Sequence, residues 1–290
     1  MSQIIQQSNR YAAVTGAGSG LGRDIALGLA AKGYRVFGTA IAPEEIADLQ
    51  QASGGAVTLT SCDITDESAV KRWARAVSEQ TDGRLNLLIN NAGILTPGPI
   101  EVLPLDSIRR EFEVNVFGAL SVVNAFLPAL RKSRGRIVQV STWTAHLPLP
   151  FNGPSGASKA AMEVFATVYR EELKRFGIDV VIAVAGNMKT GGPAKTATAL
   201  ARAAERMTPE ERELYGQAFS AFAGKLNGMQ SSGLASIDAA RRLIELAEQD
   251  PPPRAASVGE DANEILRAVR ERSDDERDTL RLQIAGLDEI

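Results

Sequence analysis

The stretch Y-A-A-V-T-G-A-G-S-G-L-G, from Tyr11 to Gly22, decides the fold of this chain. It starts as a short apolar strand, passes through a turn with a glycine at every second position, and leads into a helical pattern that ends near Ala31. Glycine allows positive φ angles and a close approach of a ligand to the backbone. The free N–H groups and the dipole at the start of the helix attract a phosphate. The turn therefore predicts a phosphate-binding loop, and the alternative is a glycine-rich turn that binds no ligand.

Composition narrows the class of protein. The chain has 290 residues, 44% of them hydrophobic, which is enough for one large α/β domain or two small ones. Its 32 basic and 35 acidic residues nearly balance, so no nucleic-acid or membrane partner is expected. Cys62 is the only cysteine and His146 the only histidine, which argues against a disulfide or a His/Cys metal site. The first ten residues lack the apolar core of a signal peptide and no run approaches a membrane span, so we expect a cytoplasmic protein.

Strand and helix patterns alternate along most of the chain. Continuous apolar strands joined by helices predict a parallel sheet covered on both faces, because each right-handed crossover lays a helix on the sheet. The expectation is an α/β, doubly wound, Rossmann-like fold with three layers and with ligands at the carboxyl ends of its strands. The predicted strands cover residues 11–14, 34–39, 56–60, 85–90, 136–141 and 178–185, with a possible last edge strand at 255–258. No repeat or linker divides the chain, so we expect residues 1–290 to form a single domain.

One segment interrupts the alternation. Residues 187–233 are rich in alanine and carry scattered Met, Leu and Phe side chains, which predicts two or three helices inserted between strands. Several glycines in this segment are potential hinges, and we expect it to close over the site as a substrate lid. Residues 273–290 form a C-terminal tail that begins with a strongly charged run, either a surface helix or a partner-binding segment.

Five spaced motifs follow one another in a characteristic order. They are T-G-A-G-S-G-L-G at 15–22, N-N-A-G at 90–93, Asn115 within V-N-V-F-G, Ser141 at the end of a strand, and A-S-K-A-A at 157–161. With these motifs the chain resembles the short-chain dehydrogenase/reductase family over about residues 10–190. The glycine spacing, G-x-x-x-G-x-G, differs from the common fingerprint G-x-G-x-x-G, and several spaced motifs are a stronger signal than one turn. The resemblance implies a nicotinamide-dependent oxidoreductase that interconverts an alcohol and a ketone.

The resemblance also implies the cofactor site. The glycine loop would cradle the pyrophosphate, Asp63 would bond the adenine, and Thr190 would meet the nicotinamide amide. A purely structural role is the alternative at single positions, such as a turn cap at Asp63 or a helix N-cap at Thr190, although such roles do not account for the whole set. The implied cofactor-binding residues are Gly16, Ser19, Gly20, Leu21, Gly22, Asp63, Ile64, Asn90, Ala92, Gly93, Lys159, Gly186 and Thr190.

The choice between NAD and NADP depends on the end of the second strand. A carboxylate there would hold a ribose 2′-OH, whereas an arginine would favour a 2′-phosphate. Residues 39–42 read T-A-I-A and contain neither. Ser19 adds no positive charge to the glycine loop, so the sequence slightly favours NAD over NADP.

The catalytic set of the family is incomplete in this chain. The resemblance places Lys159, Ser141 and Asn115 in the roles of ribose-holding cation, carbonyl-polarising hydroxyl and water-holding amide. In the family, the lysine lowers the pKa of a tyrosine phenol so that it can exchange a proton near neutral pH. The tyrosine position is Ser155. An aliphatic hydroxyl has a far higher pKa than a phenol and is shorter by a ring, so we expect Ser155 to be a poor acid or base.

Three hypotheses for Ser155 stay open. In the first, a tyrosine was replaced deliberately to trap a bound substrate. In the second, the natural protein uses another acid, a role for which the imidazole of His146 is suited. In the third, the protein no longer catalyses a redox reaction. In the third case it would be a nicotinamide-binding sensor, a scaffold, or a catalyst of elimination or cyclisation. The competing hypothesis for His146 is an ordinary residue of the pocket or of a surface loop.

The expected pocket walls, at residues 94–95, 143–151 and 187–233, are mainly apolar. They favour a hydrophobic alcohol or ketone over a sugar or an acid, with Trp143, His146 and Phe151 as substrate-pocket residues. The same side chains at helical spacing would also suit a core or an oligomer contact. The resemblance suggests a homodimer or homotetramer formed through the helices at 106–132 and 155–176.

Overall fold

The structure, a computed structural model, describes residues 10–189 and 192–289. Its helices are α1 Gly20–Ala31, α2 Pro43–Ala52, α3 Glu67–Gln80, α4 Leu105–Phe112, α5 Ala119–Ser133, α6 Gly153–Leu173, α7 Gly192–Arg206, α8 Pro209–Ser232, α9 Ser236–Glu248, α10 Glu260–Glu271 and α11 Asp274–Ala285. Its strands are β1 Arg10–Val14, β2 Tyr34–Ala40, β3 Val57–Ser61, β4 Leu87–Asn90, β5 Arg136–Thr142, β6 Asp179–Ala185, β7 Met188–Lys189, β8 Leu234–Ala235 and β9 Ala255–Val258.

The described strands form one parallel sheet in the order β3-β2-β1-β4-β5-β6-β9, beside a small β7-β8 pair. The order reverses between β1 and β4, which leaves a crevice at their carboxyl ends. One face of the sheet packs on a core that includes Trp73 and Phe126, and the other on a core that includes Ile25 and Leu243. The doubly wound, Rossmann-like α/β fold predicted from the apolar strands is confirmed, and β9 forms its edge.

Helices α4 and α5 form one continuous helical segment with an irregular centre. A π-helical turn, Glu113–Gly118, joins them. π-Helical turns of this kind are frequent at functional sites, because the extra residue redirects side chains. Here the turn carries Asn115, which is 1% exposed.

This segment also corrects one expectation from the sequence. Leu105–Ser133 is long and apolar enough to span a membrane, with a mean hydropathy of 1.4 in its best window, so the expectation that no run approaches such a span was wrong. Of that window, 56% is buried inside the protein. A core helix of an α/β domain passes the same test of length and composition, so this helix alone is weak evidence for a membrane.

The insertion after β6 contains α7 and α8 in its described part, within the predicted two or three helices. Its two ends lie side by side, because Met188 and Lys189 pair with Leu234 and Ala235 as parallel bridges. Beyond β9, the charged run expected to be a surface helix or a tail forms α11, which starts with a capping box between Ser273 and Glu276.

Candidate active site

A cleft of about 820 Å³ opens where the strand order reverses. The glycine loop forms one wall, the ends of β2 and β3 form the second, and the segment after β4 forms the third. Thr196 and Ala199 of α7 lie over it, and Lys159 of α6 is at its inner end. The cleft therefore lies at the crevice where doubly wound folds bind ligands.

The glycine loop has a geometry that larger residues cannot adopt. Gly16 and Gly20 have φ angles of +64° and +54°, in the left-handed region. A Cβ atom on Gly22 would lie 2.1 Å from the carbonyl oxygen of Gly16, and the backbone itself would have to move to admit it. The first N–H groups of α1, at Gly20, Leu21 and Gly22, have no acceptor within the helix and are available to an anion.

Two neighbouring side chains hold this loop in place. The Gly16 N–H donates to Thr39 Oγ1 over 3.1 Å, and the Asn91 amide donates to the carbonyl oxygens of Thr15 and Gly16 at 3.1 and 3.4 Å. Sequence reasoning selected Asn90, but the side chain of Asn90 lies inside the protein. Asn91 lines the cleft, and its place next to Asn90 in the N-N-A-G motif was the available signal.

Asn90 has a different environment from its neighbour. It is 2% exposed, and its amide donates at 3.3 Å to the Ala119 carbonyl and to Gln139 Oε1. These contacts join β4 to α5 and β5. Asn90 therefore supports the cleft wall from behind, whereas Ala92 and Gly93 line the cleft directly.

A carboxylate that sequence reasoning missed lies beside the glycine loop. Glu45, in the first turn of α2, places Oε2 so close to Gly18 that a Cβ there would lie 2.3 Å from it. Ala40 contacts the same position from β2. Glu45 lines the cleft, five residues beyond the strand end where an acid is normally sought. No pattern in the sequence distinguishes it from its neighbour Glu44.

Asp63 lies at the outer end of the cleft, after β3. Thr65 donates to its Oδ1 from both the backbone N–H and the hydroxyl, at 2.9 and 2.7 Å, and Arg110 donates to its Oδ2 at 2.9 Å. Burial opposes ionisation of Asp63, but the hydrogen bonds from Thr65 and Arg110 outweigh it and lower the pKa of the carboxyl. Ile64 follows in the lining of the cleft and packs against Gly118.

The inner end of the cleft is organised around Asn115. Its Oδ1 accepts the Ile94 N–H at 2.9 Å, and its amide donates to the Ile94 carbonyl and to Ser158 Oγ, both at 3.0 Å. A Cβ on Gly93 would lie 3.1 Å from Asn115 Oδ1 and 3.3 Å from Lys159 Nζ. Asn115 and Lys159 therefore meet at Gly93, from the π-helical turn and from α6 respectively.

Lys159 and Glu111 influence each other's ionisation in poorly solvated surroundings. The Lys159 ammonium donates to the Val140 carbonyl at 3.2 Å, and burial lowers its pKa against the opposing effect of Glu111 and Glu163. Glu111 is 0% exposed. Burial raises its pKa to about 7, although Thr96 and Lys159 act in the opposite direction. Glu111 was not recognised from the sequence, where it is one of many helical glutamates.

Ser141 and His146 both contact a residue that sequence reasoning did not consider. The Ser141 hydroxyl donates to Glu163 Oε1 at 2.5 Å, and His146 Nε2 lies 3.0 Å from Glu163 Oε2. Ser141 is 2% exposed, so a substrate contacts it only after neighbouring groups move. Ser155 is 9% exposed, in the first turn of α6, one turn before Lys159.

The structure also contains a second cavity, of about 480 Å³. Trp143 lines it, whereas Phe151 packs on Phe219 and Phe222 in the core, with ring centroids 5.5 and 5.6 Å apart. Gly186 lies against Asp261, since a Cβ there would be 1.9 Å from its Oδ1. Thr190 lies outside the described residues.

The residues at the main cleft fit a nicotinamide dinucleotide. The loop at Gly16 and Gly22 has no room for side chains and offers N–H groups at a helix start, as a pyrophosphate requires. At the inner end, the donors of Lys159 lie next to a residue without a side chain, Gly93. A ribose could thus approach Lys159 closely.

Comparison with known proteins agrees with this geometry. The mouse estradiol 17-beta-dehydrogenase 2 is 35% identical over 181 residues, which cover 61% of this chain and 48% of that protein. Human retinol dehydrogenase 5 is 32% identical over 75% of this chain and 69% of its own length. The chain spans about half to two thirds of the length of the first curated relatives it matches.

A solved structure shares the fold over nearly the whole chain. A short-chain dehydrogenase from Burkholderia cenocepacia, in complex with NADP, has a TM-score of 0.72 and 26% identity, and the match covers 94% of this chain and 97% of that one. The family model for short chain dehydrogenases matches residues 10–200. The chain therefore belongs to the short-chain dehydrogenase/reductase family and has its NAD(P)-binding Rossmann fold.

Proposed function

We propose that the protein is an NAD(P)-dependent oxidoreductase that interconverts a secondary alcohol and a ketone on an apolar substrate. The observation that carries the proposal is that the Gly16–Gly22 loop and Lys159 line one cleft, with Asn115 packed behind Gly93 in its wall. When bound, the dinucleotide supplies the hydride acceptor or donor. The loop would hold its pyrophosphate, and Lys159 would bond its ribose.

Glu45 supports a preference for NAD over NADP. A carboxylate beside the loop accepts hydrogen bonds from a ribose 2′-OH and repels a 2′-phosphate. The cations among the described residues that line the cleft, Arg110 and Lys159, lie away from Glu45: Arg110 is paired with Asp63, and Lys159 is at the inner end. The Burkholderia structure contains NADP, so this preference would separate the two proteins.

The substrate is proposed to be apolar, on two supports. The second cavity, near β5, has walls that include Trp143, Met229 and Ile265. The two relatives named above act, by their names, on estradiol and retinol, which are large apolar alcohols. We also propose that residues 187–233 act as a lid, because Thr196 and Ala199 of α7 line the main cleft and Met229 of α8 lines the second cavity. We propose that residues 1–290 form one catalytic domain.

An assembly and a location follow as proposals from the family. Phe117, Val164 and Val168 are 55%, 64% and 48% exposed on the helices through which a homodimer or homotetramer would form. Exposed apolar side chains of this kind mark interaction surfaces when they cluster. Light scattering during gel filtration tests the assembly. We propose a cytoplasmic location, which fractionation of cells that express the full protein would test.

Ser155 favours a second candidate function. A protein that lacks the family's phenol and keeps the cleft could bind the dinucleotide without hydride transfer, as a sensor or scaffold, or catalyse elimination or cyclisation. General acid–base groups contribute about 10²–10⁴-fold to a rate. The absence of the phenol therefore allows either slow redox turnover or none.

Two measurements distinguish these functions. Titration with NAD(H) and NADP(H), followed by protein fluorescence or melting temperature, tests cofactor binding, and we expect NAD(H) to bind more tightly. The variant Ser155→Tyr, assayed by nicotinamide absorbance with estradiol and cyclohexanol, tests redox chemistry, and a rate gain of about 10²-fold or more is expected if only the phenol is missing. Failure of both dinucleotides to bind would contradict the proposed function.

A further inference from the structure

Helix α6 carries one stripe of polar residues, and the middle one, Lys159, lines the inner end of the cleft. Ser155, Lys159 and Glu163 are four residues apart and lie on the same face of the helix. Exchange of a phenol for a hydroxyl at the first position removes one titratable group from this stripe. The carboxyl at Glu163 remains, and its side chain is only 14% exposed.

Glu163 is connected at both of its oxygens. Oε1 accepts the Ser141 hydroxyl proton at 2.5 Å, and Oε2 lies 3.0 Å from His146 Nε2. The three groups come from three different elements: β5, α6 and the loop after β5. Exposure rises along the chain of contacts, from 2% at Ser141 to 32% for the His146 side chain. The contacts thus lead from a buried hydroxyl to solvent.

The direction of the first hydrogen bond decides what Ser141 can do. A hydroxyl has one proton and two lone pairs. Because its proton is directed to Glu163, the Ser141 oxygen is an acceptor toward any group in the site. In the family role given above, this serine instead donates to a substrate carbonyl. Because of the hydrogen bond to Glu163, the lone pairs of Ser141 Oγ are oriented to accept a proton from an alcohol.

We propose that Ser141, Glu163 and His146 form the proton path of this protein, in place of the phenol. The inference rests on the proposed oxidoreductase function. In alcohol oxidation, a nicotinamide held by the glycine loop and Lys159 would accept the hydride, that is, the proton and electron pair of the substrate C–H bond that breaks. Once the groups that cover Ser141 have moved, the substrate O–H proton passes to Ser141 Oγ while the serine proton passes to Glu163 Oε1. The Glu163 carboxyl then gives up a proton from Oε2 to His146 Nε2, which releases a proton to solvent, and ketone reduction runs the same path in reverse.

The charges around the path are compatible with this role. Lys159, one turn earlier on α6, is the cation that faces Glu163 from its own helix, and His146 faces it from the loop. From β5, the facing group is the neutral Ser141. Glu111 on α4 interacts with Lys159. Among the described residues, Glu163 is the carboxylate that Ser141 bonds, which singles it out from Glu111.

The variant Glu163→Gln tests the path, with Glu172→Gln on the exposed side of α6 as the matched control. A glutamine oxygen still accepts from Ser141 but takes up no proton. We expect unchanged NAD binding, unchanged KM for estradiol or cyclohexanol, and a kcat for oxidation lower by about 10²-fold or more, with a flattened pH profile. The control should match the parent protein. Equal kcat and equal pH profiles in both variants and the parent would overturn the inference.

A second variant tests the exit to solvent. His146→Ala should lower kcat, and added imidazole should restore part of it, because a small base can then collect the proton at the cavity. A purely structural role for His146 gives no such rescue, and that result would overturn its place in the path.

The NMR resonance of the Glu163 carboxyl tests the path without any turnover. In protein labelled with ¹³C at the glutamate carboxyls, Glu163→Gln identifies one resonance by its loss. That resonance should move in both Ser141→Ala and His146→Gln, and a resonance that stays fixed in either would overturn the inference. Loss of NAD(H) binding in the parent protein would instead contradict the proposed function itself, so the two failures are distinguishable.

Discussion

Asp63 lines the outer end of the cleft and Glu111 is buried behind its inner end, next to Asn115, and the pKa values of the two carboxyls move in opposite directions. The Asp63 side chain is 40% exposed, and its hydrogen bonds to Thr65 and Arg110 outweigh burial and lower its pKa. Glu111 is fully buried, and burial raises its pKa to about 7. The outer end therefore keeps a fixed charge near water, whereas the inner end excludes water enough to hold a proton near neutral pH.

The difference between the two ends of the cleft separates the residues proposed to bind the dinucleotide from those proposed to take part in the reaction. The outer end and the glycine loop follow the family pattern, as expected of a surface that holds a rigid ligand. The inner end departs from it at Ser155, and there the titratable groups Glu111, Lys159 and Glu163 are close enough to influence one another. Substitutions at the two ends should consequently change different observables.

The largest effect is expected at the glycine loop. Gly22→Ala places a Cβ 2.1 Å from the Gly16 carbonyl, so the backbone of the loop must shift. Overpacking of this kind costs about 3 kcal/mol, which corresponds to a loss of ~100-fold in dinucleotide affinity. Fluorescence titration with NADH measures it. The matched control is Gly224→Ala in α8, where a Cβ meets nothing within 4 Å, and affinity there should stay unchanged.

The next effect tests the cofactor preference. Glu45→Gln removes the negative charge beside Gly18 and should weaken NAD binding about tenfold, since hydrogen bonds to a charged group contribute about 1.5 kcal/mol or more. NADP binding should improve in the same variant. Titration of both dinucleotides checks this, with Glu44→Gln as the exposed neighbour. A parallel change for NAD and NADP would show that Glu45 does not distinguish them.

A smaller effect is expected at Glu111. The unfolded chain ionises this group near 4.5, whereas the folded protein holds the proton to about pH 7. Between these values the native state binds more protons than the unfolded state, so its contribution to stability falls as the pH rises. Glu111→Gln should remove this fall and stabilise the protein by about 1 kcal/mol or more at pH 8, with no gain at pH 4.

Denaturant unfolding at both pH values measures the effect of Glu111→Gln. The exposed Glu113→Gln, on the same helical segment, is the control and should leave the pH dependence unchanged. An equal gain at both pH values would mean that packing, and not ionisation, is responsible.

The smallest effect is expected at the outer end. Arg110→Gln removes the half-exposed pair with Asp63, which solvent screens, so the loss of stability at pH 7 should be a few tenths of a kcal/mol. Because Arg110 helps to lower the pKa of Asp63, the loss should disappear at low pH, once the pH falls below the lowered pKa of Asp63. Thermal unfolding at the two pH values checks this, and a loss well above 1 kcal/mol would contradict the comparison.

Local patterns sufficed for the framework of the molecule. Apolar strands and intervening helices predicted the parallel sheet, and the glycines after β1 predicted the loop, because periodicity and turn chemistry are local properties. Family motifs supplied the positions of Lys159, Ser141 and Asn115, which the structure brings near the reaction end.

The residues that sequence reasoning missed act through contacts that no local pattern reports. Glu45 reaches Gly18 only because α2 turns back over the loop, and Glu163 meets Ser141 across 22 residues. Glu111 depends on burial between helices. Asn91 is the exception, because it lies in the N-N-A-G motif directly after Asn90.

The β7-β8 pair has an evolutionary consequence. Because Met188 and Lys189 lie against Leu234 and Ala235, the chain leaves and re-enters the sheet framework at nearly the same place. A segment with adjacent ends can be lengthened, shortened or replaced by recombination while the parallel strands keep their register. Such a junction allows the substrate specificity of descendants of this protein to change while the dinucleotide-binding framework is kept.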